Sequence, residues 1–188
     1  MTVKANGINI NYQVDGPERA PWLIFSNSLA TSLAMWDEQA VALKDRFRVL
    51  RYDQRGHGGT EAPADRYAFD TLLDDALALM DALGIAKATF AGLSMGGATA
   101  LGLAERHPDR LALAAHDYAS AVATVKCPTL FIVGEKDGAT PSAMAKLHEK
   151  LHDKLAGSRF VTLPGAGHIS NMDRAGEFNS ALRDFLAP

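Results

Sequence analysis

The chain has 188 residues, of which 47% are hydrophobic and 22% are charged, and its formal net charge is -3. These values are ordinary for a soluble globular protein, and the length predicts a single domain over residues 1–188. The small net charge and the lack of a basic run argue against a nucleic-acid surface. No apolar stretch approaches the roughly 20 residues that cross a bilayer, so we expect no membrane span.

The one cysteine, Cys127, cannot form a disulfide within the chain. The first residues, MTVKANG, lack the apolar core of a signal peptide. A lone thiol and no export signal together predict a cytoplasmic protein.

Short apolar runs alternate with amphipathic segments along the chain. The predicted strands are residues 8–14, 22–25, 47–52, 88–91, 129–133 and 159–163. The predicted helices are residues 36–43, 69–83, 95–105, 110–125, 141–155 and 177–185. Several strands are apolar at nearly every position, as in a parallel sheet that is covered on both faces. The pattern therefore predicts an α/β fold with a doubly wound, mostly parallel sheet.

Ser94 is the predicted nucleophile. It lies in Gly-Leu-Ser-Met-Gly at residues 92–96, between a predicted strand and a predicted helix. The flanking glycines permit a sharp turn that exposes the hydroxyl at a helix N-terminus, where the helix dipole favours developing negative charge. The alternative is a glycine-rich turn with a passive serine, but the strand–turn–helix context favours a nucleophile elbow.

A serine needs a base within hydrogen-bond reach. His168 follows the last predicted strand in a glycine-rich loop, and the carboxyl ends of parallel strands are where such sheets place functional groups. Asp137 follows the strand before it and is the predicted carboxylate partner, with Glu135 as its rival. For the oxyanion, we expect the backbone N–H groups of Met95 and Leu29.

These motifs resemble the α/β-hydrolase family, and within it the 3-oxoadipate enol-lactonases. The matching stretches are FSNSL at 25–29, MWD at 35–37, RYDQRGHG at 51–58, GLSMGG at 92–97, HPDR at 107–110, CPTL at 127–130 and GH at 167–168. Most of the family carries His-Gly in the oxyanion loop, whereas the Ser-Asn-Ser-Leu form is shared with the enol-lactonases. The resemblance implies hydrolysis of a small ester or lactone through an acyl-enzyme, with no cofactor and no metal.

The chain is shorter than such relatives, which carry a further strand and a helical cap after the HPDR segment. Because residue 110 leads almost directly into an alanine-rich run that looks helical, we expect both the cap and the sixth strand to be missing. The last two strands would then shift by about 4.8 Å, one strand spacing. Alternatively, a second chain would fill the gap, giving a homodimer or a strand-exchanged oligomer.

Two alternatives to a working serine hydrolase stay open. The first is a weak or inactive scaffold, because the cap and one strand are expected to be missing. The second is a zinc peptidase, since His148-Glu149-Lys150-Leu151-His152 spells H-E-x-x-H on a predicted helix. The extended metzincin pattern fails because Leu155 stands where glycine is required.

Other polar residues are predicted to be structural. Asp53, Arg55 and His57 follow a strand and are expected to tie loops together by hydrogen bonds. His57 is a weaker candidate for the base than His168, which occupies the better place. His116 and Asp117 fall where the cap is expected to be missing.

Overall fold

The structure is a computed structural model that describes residues 1–116, 127–138 and 157–187. Its centre is an eight-stranded sheet with the order β1-β2-β4-β3-β5-β6-β7-β8. The strands are β1 (Thr2–Ala5), β2 (Ile8–Asp15), β3 (Trp22–Ser26), β4 (Arg48–Tyr52), β5 (Ala88–Gly92), β6 (Leu111–His116), β7 (Thr129–Gly134) and β8 (Arg159–Leu163). Strand β2 is antiparallel to both β1 and β4, and every other neighbouring pair is parallel. The predicted doubly wound, mostly parallel sheet is confirmed.

All six predicted strands are present, and two more strands were not predicted. The first is β1, which forms a hairpin with β2 through Asn6 and Gly7. Both turn residues have positive φ, 46° and 81°. Asn-Gly is the usual pair for such a two-residue hairpin, so the signal for this strand was present in the sequence.

The second is β6, and here the prediction was wrong. Leu111–His116 was expected to begin a helix, and the sixth strand was expected to be missing. Instead this segment pairs in parallel with β5 on one side and with β7 on the other. Alanine and leucine favour helices in isolation, but backbone pairing on both sides of a central strand outweighs that weak local preference.

Strand β6 removes the expected gap in the sheet. The predicted shift of β7 and β8 by one strand spacing is therefore wrong, because β6 occupies the place between β5 and β7. The reason for expecting strand exchange disappears with it, and the oligomeric state stays a prediction. Only residues 117–128 join β6 to β7, at the point where the family resemblance places a cap.

The helices pack on both faces of the sheet. They are α1 (Asp37–Leu43), α2 (Phe69–Ala82), α3 (Met95–Arg106), α4 (Ser170–Asp173) and α5 (Ala175–Phe185), with 3₁₀ turns at Leu33–Trp36 and Pro108–Arg110. The predicted helices that correspond to α1, α2, α3 and α5 agree with these bounds to within a residue or two. The predicted helix 141–155 lies outside the described residues. In the described ranges, no helix is long and apolar enough to span a membrane.

Two apolar clusters lie on opposite faces of the sheet. Strand β3 contributes alternate side chains to the two clusters. Its Leu23 and Phe25 belong to the cluster that packs with α1 and α5. Ile24, between them, belongs to the cluster that packs with α2 and α3. Successive side chains of a strand point to opposite faces, so an unbroken apolar run requires that both faces are covered. The polar residues that follow the strands are left at the carboxyl edge of the sheet.

Candidate active site

Ser94 occupies a strained turn between β5 and α3. Its φ of 53° and ψ of -113° lie in a region that residues other than glycine rarely adopt. The flanking glycines are needed because backbone atoms fill the space beside them. A Cβ at Gly92 would overlap the backbone of Gly96, and a Cβ at Gly96 would overlap the carbonyl oxygen of Ser26. Strain of this kind is concentrated at functional sites.

Asp137 and His168 are in direct contact. The Nδ1 atom of His168 lies 2.8 Å from the Oδ2 atom of Asp137. The Asp137 side chain is only 12% exposed, whereas that of His168 is 43% exposed. A partly buried carboxylate that accepts from Nδ1 sets the orientation and the tautomer of the ring.

The two candidate carboxylates, Asp137 and Glu135, have different partners. Glu135 accepts the backbone N–H of Gly165 at 2.8 Å through its Oε2 atom, so it holds the loop that carries the histidine. Asp137 is the one in contact with the imidazole ring. Their positions in the sequence could not decide which of the two contacts the histidine, because both residues lie on the same short turn.

The three residues predicted for catalysis lie at one edge of the sheet. Ser94 follows β5, Asp137 follows β7 and His168 follows β8, and these strands run parallel. The carboxyl ends of parallel strands converge on one edge, which is the usual location of sites in open α/β sheets.

The residues predicted to supply the oxyanion donors, Leu29 and Met95, line one cavity of about 410 Å³. Met95 is the first residue of α3. Leu29 lies in a turn that is closed by the Thr31 N–H, which donates to the Ser28 carbonyl at 3.3 Å. The third residue of this turn, Ala30, has a φ of 59°. We call residues 27–31 the oxyanion loop.

A buried polar network, which was not predicted from the sequence, holds the oxyanion loop. The Asn27 side chain donates to the carbonyls of Ser28 and Thr31 at 2.9 and 3.0 Å. Its Oδ1 accepts the Gln54 N–H at 2.9 Å, and the Gln54 amide returns a bond to the Asn27 carbonyl at 2.8 Å. The available signal was a pair of amide side chains within two residues of the ends of two neighbouring strands, β3 and β4.

His57 also belongs to the oxyanion loop's support. Its Nε2 accepts the Ala30 N–H at 3.1 Å, and its Nδ1 lies 3.1 Å from the Arg55 carbonyl. Since a carbonyl can only accept, these two bonds require the neutral ring with its proton on Nδ1. Asp53 accepts the Leu33 N–H at 2.6 Å. The prediction that this segment ties loops together by hydrogen bonds is confirmed.

The other residues that the sequence singled out lie at the edge of the described ranges or outside them. His116 is the last residue of β6. Asp117 and the H-E-x-x-H segment at 148–152 lie outside the described residues. The zinc alternative is therefore left to experiment.

Comparisons with known proteins agree with this fold. A family profile described as alpha/beta hydrolase fold matches residues 21–117, and one described as TAP-like protein matches residues 113–188. Two 3-oxoadipate enol-lactonases of Acinetobacter baylyi are 45% identical over 109 residues and 46% identical over 103 residues. The matches cover 58% and 55% of this chain, but only 41% and 38% of those relatives. The chain thus spans about two fifths of the length of the curated relatives it matches.

A solved structure extends the match to the whole fold. The crystal structure of the enol-lactonase from Burkholderia xenovorans LB400 superposes with a TM-score of 0.89 and 33% identity. The superposition covers 99% of this chain and 99% of that one. With more than half of the chain matched by the first family profile and the sheet matched as a whole, the chain belongs to the α/β-hydrolase family.

Proposed function

We propose that this chain is a serine hydrolase that cleaves small carboxylic esters or lactones through an acyl-enzyme. The observation that carries the proposal is the 2.8 Å contact between His168 and Asp137, at the sheet edge where Ser94 sits in its strained turn. Ser94 is the nucleophile, His168 the base and Asp137 the carboxylate that orients the base.

The reaction follows from this geometry. Asp137 accepts the Nδ1 proton of His168, and Nε2 on the other side of the ring takes the proton of the Ser94 hydroxyl as its oxygen attacks the carbonyl carbon. A tetrahedral intermediate forms and then collapses. The alkoxide leaves with the proton that His168 returns to it, and the acyl group stays on Ser94. Water then attacks the acyl-enzyme in the same way, releasing the carboxylic acid.

The oxyanion of the intermediate needs donors that are already in place. We assign the backbone N–H groups of Met95 and Leu29 to this task, since both residues line the same cavity. Met95 begins α3, whose dipole also favours negative charge there. Removal of one such donor typically slows a hydrolase about 10²–10³-fold.

Small esters or lactones are the substrate class that the relatives support. The matched proteins are named enol-lactonases, and a lactone is a cyclic ester that the same attack opens. The weak-scaffold alternative loses part of its basis, because β6 completes the sheet and only the cap segment is short. We therefore expect turnover of short acyl esters.

The test is hydrolysis of p-nitrophenyl acetate and butyrate by the wild type and by Ser94→Ala, with and without chelator. Ser180→Ala is the matched control, since Ser180 is an exposed serine on α5. We expect Ser94→Ala to abolish turnover, Ser180→Ala to retain it and chelator to have no effect. Loss of activity in chelator would favour the zinc peptidase. A folded wild type without turnover of these esters or of the enol-lactone would overturn the proposal.

A further inference from the structure

The cavity beside the candidate oxyanion donors has a mainly apolar lining. It is formed by Leu29, Arg55, Gly56, His57, Tyr67, Ala68, Phe69, Leu72 and Met95. Its volume of about 410 Å³ falls in the range of small-molecule sites, which is about 300–1,000 Å³. Two polar side chains lie in this wall, Arg55 and His57, and their partners decide what the cavity can bind.

The positive charge of Arg55 is already paired with a carboxylate. Its guanidinium donates twice to Asp75, with both bonds at 2.6 Å. The two side chains are 9% and 3% exposed, so the pair is buried, and the hydrogen bonds that Arg55 donates to Asp75 raise the pKa of Arg55. The guanidinium also lies over the Tyr67 ring, 5.3 Å from its centre. A substrate carboxylate would have to compete with Asp75 for this cation.

The ring nitrogens of His57 also have hydrogen-bond partners already. Both of its ring nitrogens are bonded to backbone groups, at Ala30 and at Arg55. Neither ring nitrogen is therefore left to bind an anion in the cavity while the oxyanion loop is in place. Among the described residues that line the cavity, no cation is left to pair with an anionic substrate.

The rim of the cavity is apolar and exposed. Leu29, Tyr67 and Phe69 are 67%, 40% and 43% exposed, which is high for large apolar side chains in a folded domain. An apolar group bound in the cavity would cover part of this surface and remove it from water. A bound carboxylate would lose its hydration there without gaining a partner.

The position of the cavity indicates which side of the ester it can bind. The leaving oxygen takes its proton from His168, so the leaving group lies on the side of that residue. His168 does not line the cavity, whose walls come from the oxyanion loop, the segment after β4 and the start of α2. The acyl group, on the other side of the carbonyl carbon, is the part that faces the cavity.

We propose that this cavity binds the uncharged alkyl chain of the acyl group, and that the protein discriminates against acyl groups that carry a carboxylate. This inference rests on the proposed function, because it takes the carbonyl to lie between Leu29 and Met95. It narrows the substrate class to neutral short-chain acyl esters. It also predicts a difference from 3-oxoadipate enol-lactone, a lactone that carries one free carboxylate and is the compound in the names of the relatives.

The test compares two esters of equal acyl length, p-nitrophenyl pentanoate and the mono-p-nitrophenyl ester of glutaric acid. They differ in that the latter ends in a carboxylate. We expect kcat/KM to be at least about tenfold higher for the pentanoate, since the carboxylate is desolvated without a partner. Equal rates, or a preference for the glutarate ester, would overturn the inference and leave the proposed function standing.

A charge placed on the rim should reverse part of this preference. Phe69→Arg adds a cation at the cavity, and Val41→Arg adds one at an exposed apolar position of α1, outside the cavity. We expect Phe69→Arg to raise the glutarate-to-pentanoate ratio of kcat/KM at least about threefold, because opposite charges attract. Val41→Arg should leave the ratio unchanged. An equal change in both variants would show a general charge effect and would overturn the inference.

A binding measurement separates this inference from the proposed function. Pentanamide and the monoamide of glutaric acid are offered to Ser94→Ala, and binding is followed by ligand-observed NMR. We expect pentanamide to bind more tightly, and Phe69→Arg to weaken it in the same background. That result without any esterase turnover would overturn the proposed function but keep the cavity's selectivity. Equal binding of the two amides would overturn the selectivity.

Discussion

The backbone N–H of Ala30 donates to Nε2 of His57 at 3.1 Å, and this bond ties the oxyanion loop to the turn that follows β4. Ala30 has a φ of 59°, a conformation that is strained for a residue with a Cβ. The histidine therefore helps to hold a turn that alanine would not favour by itself. Because the Leu29 N–H, our proposed oxyanion donor, lies in the same turn, we expect His57 to act as a positioning residue.

Substitution of His57 should therefore lower kcat more than it raises KM. We expect His57→Ala to reduce kcat by about 10²-fold, the cost of one misplaced oxyanion donor. His57→Gln keeps an acceptor and should recover part of the loss. The measurement is steady-state kinetics on p-nitrophenyl butyrate, with His107→Ala, a half-buried histidine at the end of α3, as control. A rise in KM with unchanged kcat would contradict the positioning role.

Asp137 should be far more important for turnover than Glu135. Asp137→Asn keeps the shape of the side chain but can favour the wrong imidazole tautomer, and we expect kcat to fall by about 10⁴-fold. Glu135→Gln alters only the bond to Gly165 and should change kcat much less. Single-turnover acylation rates of the two variants make the comparison. A larger loss in Glu135→Gln would reverse the assignment of the two carboxylates.

Gly134 is expected to control the position of the His168 loop. A Cβ at Gly134 would overlap the carbonyl oxygen of Gly167, so Gly134→Ala must displace that loop. We expect a loss of about 1–3 kcal/mol in the free energy of unfolding, and a fall in kcat that persists well below the melting temperature. Urea unfolding and kinetics at low temperature separate the two effects.

Gly176 provides the matched control for Gly134. A Cβ there would meet nothing within 4 Å, and the residue lies in α5. Gly176→Ala should stabilise the protein by up to about 1 kcal/mol, because alanine is the better helix former, and leave kcat unchanged. Full activity in Gly134→Ala would show that the histidine loop does not depend on this close approach.

The stability of the protein should fall at alkaline pH because the contribution of Tyr52 is lost there. Burial raises the pKa of Tyr52 well above its ordinary value, against a smaller opposite effect of the hydrogen bond with Ser26. The phenol therefore stays protonated in the folded state above pH ~10, where it ionises in the unfolded chain. Its contribution to stability is complete below that pH and is lost as the pH rises toward the folded-state pKa.

Because of Tyr52, the free energy of unfolding should fall by up to about 1.4 kcal/mol per pH unit above pH ~10. Tyr52→Phe removes the titrating group, so its stability should fall less steeply. Urea unfolding at a series of pH values between ~8 and ~11 measures the slopes. Tyr67→Phe is the control, since Tyr67 is 40% exposed, and it should keep the wild-type slope. Equal slopes for Tyr52→Phe and the wild type would contradict the prediction.

Local patterns in the sequence were sufficient for most of the fold and for the candidate catalytic residues. Five of the six predicted strands lie in the parallel part of the sheet, and in β3, β5 and β7 a nearly unbroken apolar run is itself the signal for a strand with two buried faces. Ser94 could be identified because a strained turn between strand and helix needs glycines at fixed spacing. Asp137 and His168 could be identified because they follow strands whose carboxyl ends meet at one edge.

The tertiary structure decided what depends on residues far apart in the chain. An alanine-rich run at Leu111–His116 became a strand because β5 and β7 pair with it on both sides. Asp137 rather than Glu135 contacts His168 because of how two loops approach each other. The arginine among the described residues of the cavity wall is paired because Asp75 on α2 reaches Arg55. Composition and spacing carry no information on such contacts, since each one is set by the packing of elements that the sequence keeps apart.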